Sequence, residues 1–249
     1  ERSDVIGYDL IYKGLSKLNL SLYAPFDYIL PSRMGFYEDR YDTVVMGGLG
    51  SLKQSDRERS LQILMRINLL KRLESSVEAF KITLAKILEK IETTIEEIDK
   101  FDNHVSNQFT FYQEVKNLNL DEDDWLDEEF SIGERIKINL SDMDRISWKE
   151  ELSYDRDTIR YLLKEMEKVA PEHDYKLHTL KNIIKEKIDN PINEGNKKII
   201  IFTAFSDTAN YLYEEISQQV LKEFGIHTAK VVGSDANKTT LNIRNDFHT

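Results

Sequence analysis

The sequence predicts an α/β protein with a large all-α part, in which a long helix and antiparallel helical partners precede an incomplete parallel βαβ unit. Three observations predict it. Between Ser51 and Ile132 there is neither glycine nor proline, so the usual helix breakers are absent. Within that span an apolar stripe at helical spacing runs from Leu70 to Ile98. Further on, Lys197–Phe205, "KKIIIFTAF", is a β-branched apolar run followed by helical periodicity and a second short apolar stretch, "HTAKVVG".

The stripe consists of Leu70, Leu73, Val77, Phe80, Leu84, Ile87 and Ile91, continued after an extra step by Ile95 and Ile98. A stutter near Ile91–Ile95 would relax any supercoil there. A helix from Asp56 to His104 would be ~70 Å long at about 1.5 Å per residue. It must reach out, pair with other helices, or break, and Thr93–Thr94 is the weakest point. Arg156–Val169, "RDTIRYLLKEMEKV", and Tyr175–Ile188, "YKLHTLKNIIKEKI", are the expected antiparallel partners, separated by Pro171, with Asp174 capping the second. A helix over Leu10–Leu22 and a loop marked by Pro31 and Gly35 are expected earlier. Residues 108–154 carry mixed signals.

Asn190–Asn196, "NPINEGN", is a turn that changes the character of the chain. Ile199–Phe205 then reads as a strand buried on both faces, Ser206 or Asp207 as the cap of the next helix, and Gly225 as its end. With the second stretch this makes a strand–helix–strand unit. Another helix is expected from about Lys238. The organisation expected is a mixed connector over 1–55, a helical region over 56–190, and the sheet-forming part over 191–249.

The chain has 249 residues, of which 40% are hydrophobic and 32% charged, with a net charge of −11. No apolar run approaches the ~20 residues that cross a bilayer, so no membrane partner is expected. There is no cysteine, which removes disulfides and thiolate chemistry and fits a cytoplasmic location. His104, His173, His178, His227 and His248 are scattered, and His173 and His178 do not share a helix face, so no metal site is expected. The acidic balance weighs against a surface wholly devoted to nucleic acid. Much of it sits in Asp121–Glu129, "DEDDWLDEE", a solvated loop or an acidic tongue for basic partners. The first residue is Glu1, not methionine, as expected of a piece of a longer protein.

Thr43–Arg59, "TVVMGGLGSLKQSDRER", invites comparison with a phosphate-binding loop. The spacing argues against it. Such a loop places glycine directly before the lysine and a hydroxyl directly after it, whereas Lys53 follows Leu52 and precedes Gln54. A loop with Ser55 or Asp56 capping the long helix is the better reading.

The final third, "DYKLHTLKNII…NKKIIIFTAFSDTANYL…GIHTAKVVGSDANKTTLNIRNDF", resembles the opening of the second RecA-like lobe of superfamily 2 helicases, in particular the Swi/Snf-type DNA-dependent ATPases. Asp174, Lys176, Leu177 and Leu180 look like the helix that leads into that lobe. Ile199–Phe205 with Asp207 and Thr208 looks like its motif IV, and Gly233, Arg244 and Phe247 like the segment after the second strand. Asn68–Ser76, "NLLKRLESS", is similar to the segment at the junction of the lobes, and Tyr23–Pro31, "YAPFDYILP", fits the stretch between lobes in a bacterial subgroup.

The resemblance implies a nucleic-acid-dependent ATPase that couples hydrolysis of ATP, held with magnesium between two lobes, to movement on DNA. The P-loop, the acidic magnesium motif and the final arginine motif of that family do not occur in these residues. No catalytic residue is therefore carried over, and this fragment alone is expected to be inactive and to bind neither cofactor. DNA, the first lobe and the remainder of the second are the partners the resemblance implies. Thr203, Ser206, Gly233 and Ser234 fall where strand ends meet loops, the place where open parallel sheets bind ligands, and would touch the tracking strand. In the plainer account Ser206 caps a helix and Ser234 turns the chain. Lys71 and Arg72 would contact DNA or the opposite lobe, or else form a solvated flank of the long helix.

Two other classes compete. An acidic helical scaffold for protein binding explains the stripe and the charge but not the strand–helix–strand order. A stand-alone α/β enzyme lacks any convergent nucleophile and base. The motor reading requires Ile199–Phe205 to be extended and to have a parallel companion.

Overall fold

Ser76 divides the long helical stretch in two. In the computed structural model, which describes residues 7–44, 51–103, 110–113, 136–168 and 174–232, α3 (Gln54–Ser75) ends at Ser76 and α4 (Val77–Asp102) begins after it. Ser76 is extended, with φ −155° and ψ 147°, and its hydroxyl accepts the Ala79 N–H. Thr93 and Thr94, the expected weak point, stay helical, each hydroxyl donating to the carbonyl one turn back, on Glu89 and Lys90. A capping serine therefore breaks the helix where threonines do not.

Ahead of α3, α1 (Tyr8–Lys17) is shorter than expected. Leu20 turns left-handed at φ 56°, and short 3-10 turns follow over Ser21–Tyr23 and Pro25–Tyr28. The loop expected around Pro31 and Gly35 is instead α2 (Pro31–Tyr41). Pro31 occupies the first helical position, where its missing N–H costs nothing, and a Cβ on Gly35 would meet open space. β1 (Thr43–Val44) and β2 (Ser51–Leu52) pair antiparallel. The first residue of α3, Gln54, donates its N–H to Asp42 Oδ1 at 2.9 Å. Lys53, not Ser55 or Asp56, is the N-cap position.

β3 (Thr110–Gln113) and β4 (Ile136–Asn139) form a second antiparallel pair. α5 (Arg145–Met166) then makes the most extensive helix contact among the described residues, against α4. Its direction is fixed by ion pairs: Arg145 meets Asp102 at 2.8 Å and Arg160 meets Glu92 at 2.6 Å, so the helices are antiparallel as expected. The stripe residues Phe80, Leu84, Ile87, Ile91, Ile95 and Ile98 are buried in one core with Trp148, Leu152, Ile159 and Leu162 of α5 and with residues from α1, α2 and α3. Leu70 and Val77 reach that core only partly buried.

α6 (Tyr175–Asp189) starts where expected, capped by the Asp174 carboxylate on the Leu177 N–H at 3.0 Å. It does not add to the large core. Leu177, Ile184 and Ile188 pack with Ile216 and Val220 of α7 (Ser206–Phe224) in a separate small cluster.

The described residues are mostly helical, and the sheets among them are two antiparallel pairs. The parallel βαβ unit is not formed among them. Residues 197–205 and 226–232 hold no strand. Ile200 is 78% and Phe202 90% exposed, with Ile199 and Ile201 about half as much. The reason is local: a strand of the buried parallel kind takes its hydrogen bonds and its cover from neighbours on both sides, and no described segment occupies those positions. The alternation survives without them. From Phe224 to Val232 half-buried and exposed residues alternate, the period of a strand lying with one face on a helix. Gly233, Ser234, Arg244, Phe247, the helix expected near Lys238 and the acidic stretch Asp121–Glu129 lie outside the described residues.

Candidate functional site

Of the residues that the resemblance singles out, Arg72 on the C-terminal turn of α3 meets Phe205 and Asp207 at the start of α7. Phe205 is the N-cap residue of α7 in extended conformation, and no side chain caps this helix. Ser206 is therefore the first helical residue, not the cap. Asp207 lies in the first turn, where the helix dipole favours an anion.

Arg72 comes to this turn from α3. Its side chain is only 1% exposed, Nη1 donates to Asp207 Oδ2 at 3.1 Å, and the guanidinium lies over the Phe205 ring, 4.5 Å from its centroid. The planar guanidinium stacks and pairs at once, which an ammonium could not do. Removing the carboxylate would take an ion-pair partner from a largely buried cation, which is destabilising.

Three further contacts close the junction. Ser75 and Thr208 share a hydrogen bond between hydroxyls at 2.9 Å. Lys176, in the first turn of α6, donates to the carbonyl of Glu74, one of the orphan acceptors at the end of α3. Tyr211 donates to Asp174 Oδ2 at 3.0 Å, tying α7 to the cap of α6; burial first, and then this carboxylate, raise its phenol pKa.

The site residues separate accordingly. Arg72 is neither a solvated flank nor open to a nucleic acid in this arrangement, since it is enclosed by Phe205 and Asp207. Lys71, its neighbour, is exposed. Thr203 turns its hydroxyl back to the carbonyl of Phe205 at 2.8 Å. Ser206 sits beside the Arg72 pair in sequence and space. Gly233 and Ser234 are outside the described residues.

Phe205 and Asp207 as partners of Arg72, with Ser75 and Thr208 beside them, were not read as a site from the sequence. One signal was present: Arg72 falls seven residues after Met65 and three after Leu69, on the inward side of α3, whereas Lys71 does not.

The glycines of the stretch at 45–50 lie outside the described residues; the strands that flank them do not have the course of a P-loop. A P-loop leads from a strand straight into a helix; here the chain returns antiparallel, Thr43 opposite Leu52, before α3 starts. Among the described residues no group of three or more His, Asp or Glu is placed to hold a metal ion, and no helix is long and apolar enough to cross a membrane. Compared with models of known protein families, with curated proteins and with solved structures, the chain matches none.

Proposed function

We propose that this chain is part of a superfamily 2, Swi/Snf-type nucleic-acid-dependent ATPase: the helical connector between two RecA-like lobes and the entrance of the second. The observation that carries the reading is the exposed run Ile199–Phe202 between α6 and α7, followed on the far side of α7 by the alternating stretch Phe224–Val232. Contiguous β-branched residues in water are unfavourable by roughly 1.5–3 kcal/mol for each large side chain left uncovered. They make sense as strands of a sheet whose other members come from elsewhere. On this reading ATP and magnesium are bound by other residues than these, DNA is the track, and the polar junction at Arg72 fixes the entrance of the second lobe on the connector.

Lys71 is an exposed basic residue beside the junction that could meet a phosphate. The test is DNA-stimulated ATP turnover by the protein expressed from its whole reading frame. Lys71→Glu is expected to lower the stimulation severalfold while the DNA-independent rate holds. Unchanged stimulation removes Lys71 from the interface, and absence of any ATP turnover in the whole protein overturns the assignment.

The second reading, an acidic helical scaffold that binds proteins, is favoured by the size of the α3, α4 and α5 core against the small α6–α7 cluster. It places the exposed apolar run on a binding surface. Salt-sensitive binding of duplex DNA by the whole protein favours the motor; capture of a protein partner with no affinity for DNA favours the scaffold.

A further inference from the structure

α7 belongs to the body of the molecule: it lies more widely against α4 than against α6, and Phe205 and Thr208 at its start are buried. α6 is fastened to α7 unevenly. At its N-terminal end Asp174 caps the helix through Oδ1 and accepts the Tyr211 hydroxyl through Oδ2, each at 3.0 Å. Leu177 is buried there, and Lys176 donates to the Glu74 carbonyl. Beyond Leu180 the buried residues of α6 are Ile184 and Ile188, which pack with Ile216 and Val220 of α7. Among the described residues no hydrogen bond or ion pair joins residues 180–189 to another element. Residues 192–202 are then all exposed and form neither helix nor strand. We propose that α6 is a strap pinned at Asp174, whose second half lifts from α7 and uncovers Ile216 and Val220 while the rest of the molecule stays folded.

A helix of 15 residues without its packing is marginal in water, so α6 keeps its form where α7 covers it. Segments with few buried apolar contacts open locally at a lower free energy than core elements do, and two isoleucines are what hold the second half of α6. The first half has a buried leucine and the doubly used Asp174 carboxylate, so the helix gives way from its C-terminal end. The exposed segment behind it supplies the slack: residues 192–202 can follow the lift without moving Phe205 or the contact of α7 with α4. Opening changes the surface of α7. Ile216 lies one turn from Tyr213, which is already 39% exposed, and Val220 lies one turn further on. The lifted strap therefore leaves a continuous apolar stripe along α7 that the closed strap conceals. The inference does not rest on the ATPase reading.

The chain has no cysteine, so a single introduced thiol reports the opening. Leu177, Ile188 and, in the α4–α5 core, Leu152 are all buried. Leu177→Cys, Ile188→Cys and Leu152→Cys are labelled separately with a thiol reagent in excess on the intact chain. Ile188→Cys is expected to react at least tenfold faster than either of the others. The proposal is overturned if Ile188→Cys reacts no faster than Leu152→Cys, since α6 then opens only with the whole chain. It is equally overturned if Leu177→Cys reacts as fast as Ile188→Cys, since α6 then leaves as one piece. Hydrogen exchange measured by mass spectrometry on the unsubstituted chain gives the same reading without any loss of packing. Amides of residues 182–188 are expected to exchange at least tenfold faster than those of residues 210–220, and matching rates overturn the strap. Tyr211→Phe removes the pin and should raise the labelling of Leu177→Cys severalfold; an unchanged rate there overturns the pinned end.

Discussion

The Asp155 carboxylate, wholly buried on α5, accepts the backbone N–H of Ser21 at 3.0 Å and that of Asn19 at 2.7 Å. One side chain thus satisfies the turn around Leu20, the described non-glycine residue with positive φ. The Trp148 indole donates to the Ser21 carbonyl at 3.1 Å from the same helix. The 3-10 turn between α1 and α2 is held by α5, far away in sequence.

Asp155→Ala is expected to destabilise the chain by about 2–4 kcal/mol, because the buried N–H of Ser21 and the part-buried N–H of Asn19 lose their acceptor and Leu20 loses the support for its left-handed backbone. Asp155→Asn should cost less, about 1–2 kcal/mol, since one oxygen remains. Chemical denaturation followed by Trp148 emission in the Trp125→Phe background checks both.

Glu58 makes stability depend on pH. It is 2% exposed on α3, with Oε2 accepting the Phe26 N–H at 2.9 Å and Oε1 the Gln54 side-chain amide at 3.2 Å. Burial pushes its carboxyl up to about 8, the nearby Asp27 adds to the rise, and the two N–H donors hold it back. The folded chain therefore keeps a proton that the unfolded chain releases above the ordinary carboxylate range. Its contribution is complete below about pH 4.5 and is lost as pH rises to about 8. Stability is expected to fall across that window by on the order of a few kcal/mol, and Glu58→Gln should flatten the decline. A denaturation series over the same pH values in the parent and the variant reads this directly. An identical slope in both removes Glu58 as the cause.

Ser76→Ala should cost about 1 kcal/mol, the usual loss for a helix N-cap whose hydroxyl accepts a backbone N–H. The expected result is a lowered melting temperature with helical circular dichroism intact. No change would mean that the extended backbone at 76, not the hydroxyl, sets the break.

Ile200→Lys with Phe202→Lys changes two exposed side chains and should leave folding of the described core within about 0.5 kcal/mol of the parent. Sedimentation is expected to show less self-association, because two exposed apolar side chains are removed. If the chain is part of a longer motor, as proposed, and Ile199–Phe205 is a buried strand of its second lobe, the same pair should abolish folding of that lobe. Full tolerance in the whole protein favours the scaffold.

Periodicity is readable from residues alone, and capping only in part: Asp174 caps as expected, whereas Lys53, Ser76 and Phe205 hold the N-cap positions of α3, α4 and α7. The stripe from Phe80 to Ile98 named the buried face of α4, and Asp174 marked the start of α6, because both depend on neighbours within a turn or two of the chain. Charge pairing was not. Lys71 and Arg72 are alike in composition, yet one lies in water and the other stacks on Phe205 beside Asp207, which only the approach of α7 to α3 could decide. The same holds for Glu58 and Asp155: a carboxyl on a helix reads as surface until folding brings Phe26, Ser21 and Asn19 against it. Ile199–Phe205 shows the limit from the other side. Its residue types state a preference for a sheet, but strand hydrogen bonds need neighbours, and no described segment of the fold supplies them.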